Sequence, residues 1–212
     1  MSFEKERSAD SGHKLGFDNI RTAKSAAESC KSCALWKRAR QTVFGEGPVP
    51  ARVMLVGEQP GDYEDVSGRP FVGPAGKLLN TALNRAGIDR AAVYLTNAVK
   101  HFKWESLGKR RLHKKPSRRE IEACRFWLIS ELELVKPRLV VCMGATAVVS
   151  LLGKEVRVIE NRGKFFETNL AASILVTVHP SAILRAQSDE THSLEFERFV
   201  EDLRKAASFL RA

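Results

Sequence analysis

Residues 52–87 read RVMLVGEQPGDYEDVSGRPFVGPAGKLLNTALNRAG. Val53, Met54, Leu55 and Val56 form a short apolar run that ends at Gly57, the pattern of a parallel strand buried on both faces. Pro60, Gly61, Gly68, Pro70, Gly73 and Pro74 then punctuate the chain, which predicts a long rigid loop. Ala75 to Ala86 reads as a helix, with Pro74 near its start and Gly87 just past its end. A strand therefore leads through a polar loop into a helix. In open α/β sheets ligands bind beyond the carboxyl ends of strands, so the loop's Glu58, Gln59 and Phe71 become candidate site residues.

The same strand-then-helix unit recurs along the chain. Val93 to Lys100, Arg138 to Gly144 and Ser173 to Val178 read as further strands. Ser117-Arg118-Arg119-Glu120 is a capping box opening a helix that runs to Lys136-Pro137. Ala145 to Leu152 reads as a helix stopped by Gly153, and Ser193 to Arg211 as an amphipathic one. Phe17 to Ser29 reads as another helix, and Val156 to Thr168 as a hairpin around Asn161-Arg162-Gly163. Four such units imply an α/β fold, a three-layer α/β/α sandwich around a central four-stranded parallel sheet.

At 212 residues the chain suits one domain, expected over 17–212, behind a disordered polar tail at 1–16. The net charge of +10 favours nucleic acid as partner over a membrane. No apolar run reaches the length of a membrane span. The N-terminal residues lack a secretory signal, so a cytoplasmic, nucleoid-associated, monomeric protein is expected. Four cysteines in a reducing compartment point to metal or redox chemistry before disulfides. Cys30-Lys31-Ser32-Cys33 alone is compatible with zinc, a redox pair or half of an iron–sulfur site. Cys142 reads as a core thiol; Cys124 lies on the long helix, where core packing is equally compatible.

Gly57-Glu58-Gln59-Pro60-Gly61 with Gly68-Arg69-Pro70-Phe71-Val72-Gly73, and His179-Pro180-Ser181-Ala182-Ile183-Leu184-Arg185, resemble the two motifs of the uracil-DNA glycosylase superfamily. The likeness is to its family 4-like branch, and it spans most of the chain from Cys30 to Arg185. The resemblance implies uracil-containing DNA as partner and a [4Fe–4S] cluster as cofactor. In family 4 four cysteines hold that cluster; here the third ligand position is His101, a departure shared with the UdgX group. The implied ligands are Cys30, Cys33, His101 and Cys124, and imidazole can replace thiolate on iron. A Cys₃His zinc site on the same residues is the alternative.

Lys109-Arg110-Arg111-Leu112-His113-Lys114 is expected to be a basic loop between Gly108 and Pro116. It resembles the K-R-R-I-H loop of the UdgX group, in which the histidine captures the abasic sugar. The resemblance implies that Phe71 stacks on a flipped uracil and that Gln59, Asn97 and His179 read it. An Asn amide can serve both a carbonyl and an imide N–H. Gln59 stands where the best-known branch has a water-positioning Asp, and an amide cannot act as a base. His113 is then the expected nucleophile, with Glu58 orienting it or taking its proton. Lys109, Arg110, Arg111, Lys114 and Ser181 are expected on DNA phosphates, with Leu184 and Arg185 as a wedge. Two other readings stay open: an ordinary glycosylase in which water attacks, and a non-enzymatic metal-containing nucleic-acid-binding protein.

Overall fold

The computed structural model describes residues 16–108, 110–170 and 173–211. The expected tail over 1–15 and the candidate phosphate contact Lys109 lie outside the described residues. In chain order the elements are α1 (Ile20–Glu28), β1 (Val53–Gly57), α2 (Asp62–Ser67), α3 (Pro74–Arg85), β2 (Val93–Asn97), β3 (Trp104–Leu107) and β4 (Arg110–His113). Then follow α4 (Arg118–Val135), β5 (Leu139–Met143), α5 (Ala145–Leu152), α6 (Val158–Asn161), β6 (Phe165–Phe166), β7 (Ser173–Thr177), α7 (Pro180–Leu184) and α8 (Asp189–Arg211). No described helix is long and apolar enough to cross a membrane.

The sheet runs β2-β1-β5-β7-β6. The first four strands are parallel, and β6 pairs antiparallel with β7. The expected four-stranded sheet thus carries a fifth, two-residue edge strand. Side chains alternate across the pleat. Val53 and Leu55 pack under α3 and α8, against Leu79, Leu83, Phe199 and Leu203. Met54 and Val56 pack under α4 and α5, against Leu128, Leu132 and Val148. Burial on both sides is why these strands lack polar alternation. A third apolar cluster lies where α1 meets α4 around Ala23, Ala27, Ile121 and Trp127.

Three local expectations are corrected. The punctuated loop after β1 contains a short helix, α2, which Gly61 opens and Gly68 closes in the left-handed conformation at φ 72°. The basic loop is a β-hairpin: β3 and β4 pair antiparallel with Trp104 opposite His113, turning at Gly108. The hairpin expected over 156–168 is instead a helical turn, α6, followed by β6.

The register Gly57↔Asn97 and Met143↔Thr177 sets the carboxyl ends of all four parallel strands on one rim. Glu58, Thr146 and His179 follow directly beyond it. Below the rim Glu131 of α4 is fully buried. It accepts from Gly45 N–H (2.8 Å), Thr96 Oγ1 (2.9 Å), Tyr94 Oη (3.2 Å) and Lys100 Nζ (2.5 Å).

Candidate active site and cluster site

A cavity of about 410 Å³ opens at this rim, lined among others by Gln59, Phe71, Asn97, His113, His179 and Leu184. Three of its lining side chains crowd Gly57, the last residue of β1. A Cβ there would stand 2.4 Å from Asn97 Oδ1, 2.6 Å from Phe71 Cζ and 3.4 Å from His179 Nε2. The three candidate base-reading groups therefore converge on one point, and only glycine leaves it open. Phe71 is buried and has φ 57°, a strained backbone for an aromatic residue of the kind that collects at functional sites. Gly76 of α3 lets that backbone approach, since a Cβ there would lie 1.8 Å from Phe71 O. Changing Gly57 to Ala should slow uracil release by about 10²-fold, because misplacing reacting groups by an ångström costs that much. Uracil release at unchanged circular dichroism checks this.

His179 caps α7, and its Nδ1 accepts the Ser181 N–H at 3.2 Å. Ser181 Oγ lies 2.8 Å from the same nitrogen. Nδ1 therefore carries the lone pair and the proton sits on Nε2, the atom facing Gly57. Desolvation, helped by His113 and Arg185, lowers the His179 pKa to about 4, so the ring is a neutral donor aimed into the cavity. Ser181, expected on a phosphate, serves here to orient this histidine.

His113 ends β4 and leans over the cavity from the opposite side. The Gln59 amide is fixed by three backbone groups. Its Oε1 accepts from Lys103 N–H (3.1 Å), and its Nε2 donates to the carbonyls of Lys103 (3.2 Å) and Lys114 (3.0 Å). Gln59 Nε2 also lies 2.9 Å from His113 Nε2. An amide nitrogen cannot accept, and its two hydrogens are shared among these three partners, so a lone pair on the imidazole Nε2 suits the contact. Glu58 Oε1 is 3.5 Å from that nitrogen, while Thr146 Oγ1 donates to Glu58 Oε2 at 2.7 Å. Desolvation lowers the His113 pKa despite the opposing pull of Glu58, with Arg185 adding to the fall. Lowered values keep both rings neutral below the usual imidazole range. The rate should stay flat from pH 8 to pH 6.5 and fall only in more acidic buffer, a profile that single-turnover kinetics can check.

The cations divide into two sets. Arg111 pairs with Asp62 and with Asp65 (2.5 Å), and lies over the rings of Phe102 and Trp104. Asp65 is fully buried. Arg111 thus clamps the hairpin onto α2, its guanidinium paired with two carboxylates. Lys114 is tied to Glu105 at 2.9 Å, an exposed pair that stabilises little. Arg110 and Arg185 form no ion pair among the described residues and are exposed. Leu184 is exposed at the end of α7. Sequence reading missed Thr146 and, although Asp62 and Asp65 stood out as polar groups of the loop, their pairing with Arg111. Thr146 follows β5 on the same rim as Glu58, and that position was the available signal.

The four expected cluster ligands gather between α1, α4 and the end of β2. Cys124 is buried and Cys30 and Cys33 pack against the same apolar cluster. Trp127 Nε1 donates to Cys30 Sγ at 3.1 Å and the Lys100 N–H to Cys124 Sγ at 3.2 Å. Such N–H donors suit sulfurs that carry thiolate charge on iron. Burial raises the Cys124 pKa to about 12, so the free thiol stays protonated until a metal replaces the proton. Buried His101, which desolvation keeps neutral, places Nε2 3.0 Å from Thr42 Oγ1. Among the described residues no three His, Cys, Asp or Glu side chains draw together around a single ion.

A family model described as the uracil DNA glycosylase superfamily matches residues 44–204. The chain belongs to the uracil-DNA glycosylase superfamily. Within it, the chain is similar to a type-4 uracil-DNA glycosylase of Thermotoga maritima, at 35% identity over 87% of this chain and 91% of the relative. It is also similar to type-4 uracil-DNA glycosylases of Pyrobaculum aerophilum (38% identity, 74% of this chain, 81% of the relative) and Saccharolobus solfataricus (35%, 79% and 78%).

Proposed function

We propose that this protein excises uracil from DNA and that His113 then captures the sugar, as in the UdgX group that its hairpin resembles. The observation carrying the capture step is the 2.9 Å contact of His113 Nε2 with Gln59 Nε2, which sets that ring at the cavity lined by Phe71, Asn97 and His179. Uracil leaves the stack and lies on Phe71. The C1′–N1 bond breaks and the base keeps the electron pair. Asn97 and the His179 Nε2–H stabilise the charge that grows on its oxygens. Glu58 faces the positive charge at C1′. The Nε2 lone pair then bonds to C1′, and the imidazolium sheds its Nδ1 proton to water. No residue in this set regenerates the enzyme, so each molecule acts once.

A second reading is favoured by the relatives, which carry the name of type-4 glycosylases: water attacks C1′ and the enzyme turns over. The two readings share the cavity and differ only in what reaches C1′. Counting uracil released per protein molecule separates them, one for capture and many for turnover. A matched thymine strand should release nothing; equal release from both strands would refute the base assignment.

Cys30, Cys33, His101 and Cys124 are proposed to hold a [4Fe–4S] cluster that fastens α1 to α4, a structural role outside the reaction. Anaerobically purified protein should then be brown, with about four irons per chain. His101→Cys should keep the iron, since thiolate is the commoner ligand. Stoichiometric zinc without iron would overturn the assignment.

A further inference from the structure

Behind His113 lies a second cavity of about 480 Å³. It shares Gln59, His113, His179, Ser181 and Arg185 with the first, so the two meet at the nitrogen proposed to take C1′. A strand whose base fills the first cavity has its sugar at this junction, and its backbone must leave past it.

The lining of the second cavity is of two kinds. Val158, Ile159 and Val178 are apolar. Ile159, on α6, is 92% exposed, more than any other large apolar side chain among the described residues. Lys115 and Arg185 are exposed, line the same cavity and form no ion pair among the described residues. Glu58 also lines it, but its oxygens face Thr146 and His113. An apolar shelf beside free cations matches a nucleotide: base faces are apolar and stack without regard to sequence, while the phosphate is anionic.

We propose that this cavity is a subsite for the nucleotide flanking the excised uridine in single-stranded DNA. Ile159 and Val158 lie under its base, and Lys115 and Arg185 meet its phosphate. The inference rests on the uracil reading above. It gives this exposed isoleucine a role, and it extends recognition to a base that is not cleaved.

The test uses fluorescent single strands bearing 2′-fluoro-2′-deoxyuridine, which resists cleavage, with either neighbour replaced by a base-less spacer. Wild-type protein should lose roughly tenfold in affinity when one particular neighbour lacks its base, the scale of a single stacking contact. Ile159→Ser should bind the intact strand about tenfold more weakly and be indifferent to that spacer. Lys115→Ala should keep the spacer effect and lower the salt slope by about one. The subsite fails if no spacer weakens wild-type binding, or if the spacer costs Ile159→Ser as much as wild type. Uracil release from ordinary strands is followed in parallel. Release with a silent spacer overturns the subsite alone; absence of release and of preference for uracil over thymine overturns the activity and the subsite with it.

Discussion

Replacing Glu131 by Ala should lower the unfolding free energy by about 3–5 kcal/mol, the usual consequence of stripping one partner from a buried ion pair. The side chains of Lys100 and Glu131 are 1% and 0% exposed. Without the carboxylate, the ammonium keeps only Thr96 Oγ1 and Asn97 O, each at 2.7 Å. Gly45 N–H and the Tyr94 hydroxyl also lose their acceptor, and an unpaired buried donor costs about 1–3 kcal/mol. The damage should reach function from both ends of Lys100. Its Nζ holds the backbone carbonyl of Asn97 in the uracil cavity, and its N–H donates to Cys124. Combining Glu131→Leu with Lys100→Met should recover much of the loss, since well-packed apolar groups can replace such a pair. Denaturant unfolding followed by circular dichroism measures wild type, the single variant and the double variant. A loss below about 1 kcal/mol for Glu131→Ala would contradict this account of the pair.

His113→Ser should abolish covalent capture while leaving the fold intact, because the His113 side chain is 47% exposed. Phe71, Asn97, His179 and Glu58 remain, so bond breaking at C1′ should continue. The space vacated beside Gln59 admits water, and uracil release should pass one per protein molecule. The expected change is thus from a single event to turnover, together with loss of the heat-stable band. Retention of that band in the Ser variant would move the nucleophile elsewhere.

How much of this was legible beforehand depends on the range of the interaction. β1, β2, β5 and β7 were readable because a parallel strand covered on both faces must be apolar throughout. The start of α4 was readable because Ser117 and Glu120 cap it locally. The hairpin over 104–113 was not. Its strands carry Glu105, Arg110 and Arg111 in place of an apolar face, and it is held to the body by distant partners, among them Asp62 and Asp65, which pair with Arg111 from more than forty positions away. Helix α2 was hidden among the glycines and prolines that bound it. The motif residues Glu58, Phe71, Asn97 and His179 were visible by resemblance. Gly57 as the meeting point of Asn97, Phe71 and His179, Thr146 as the support of Glu58 and Ile159 as a shelf needed the folded rim.

The central claim is capture of C1′ by His113, and one measurement meets it directly. Wild-type protein is mixed with an equimolar single strand containing one uracil, heated in detergent and run on a denaturing gel, and the shifted band is digested for peptide mapping. The account predicts one shifted species, uracil released in equal amount, and DNA attached to the peptide carrying His113. Free uracil in excess of protein with no shifted band, or attachment at any other residue, would contradict it.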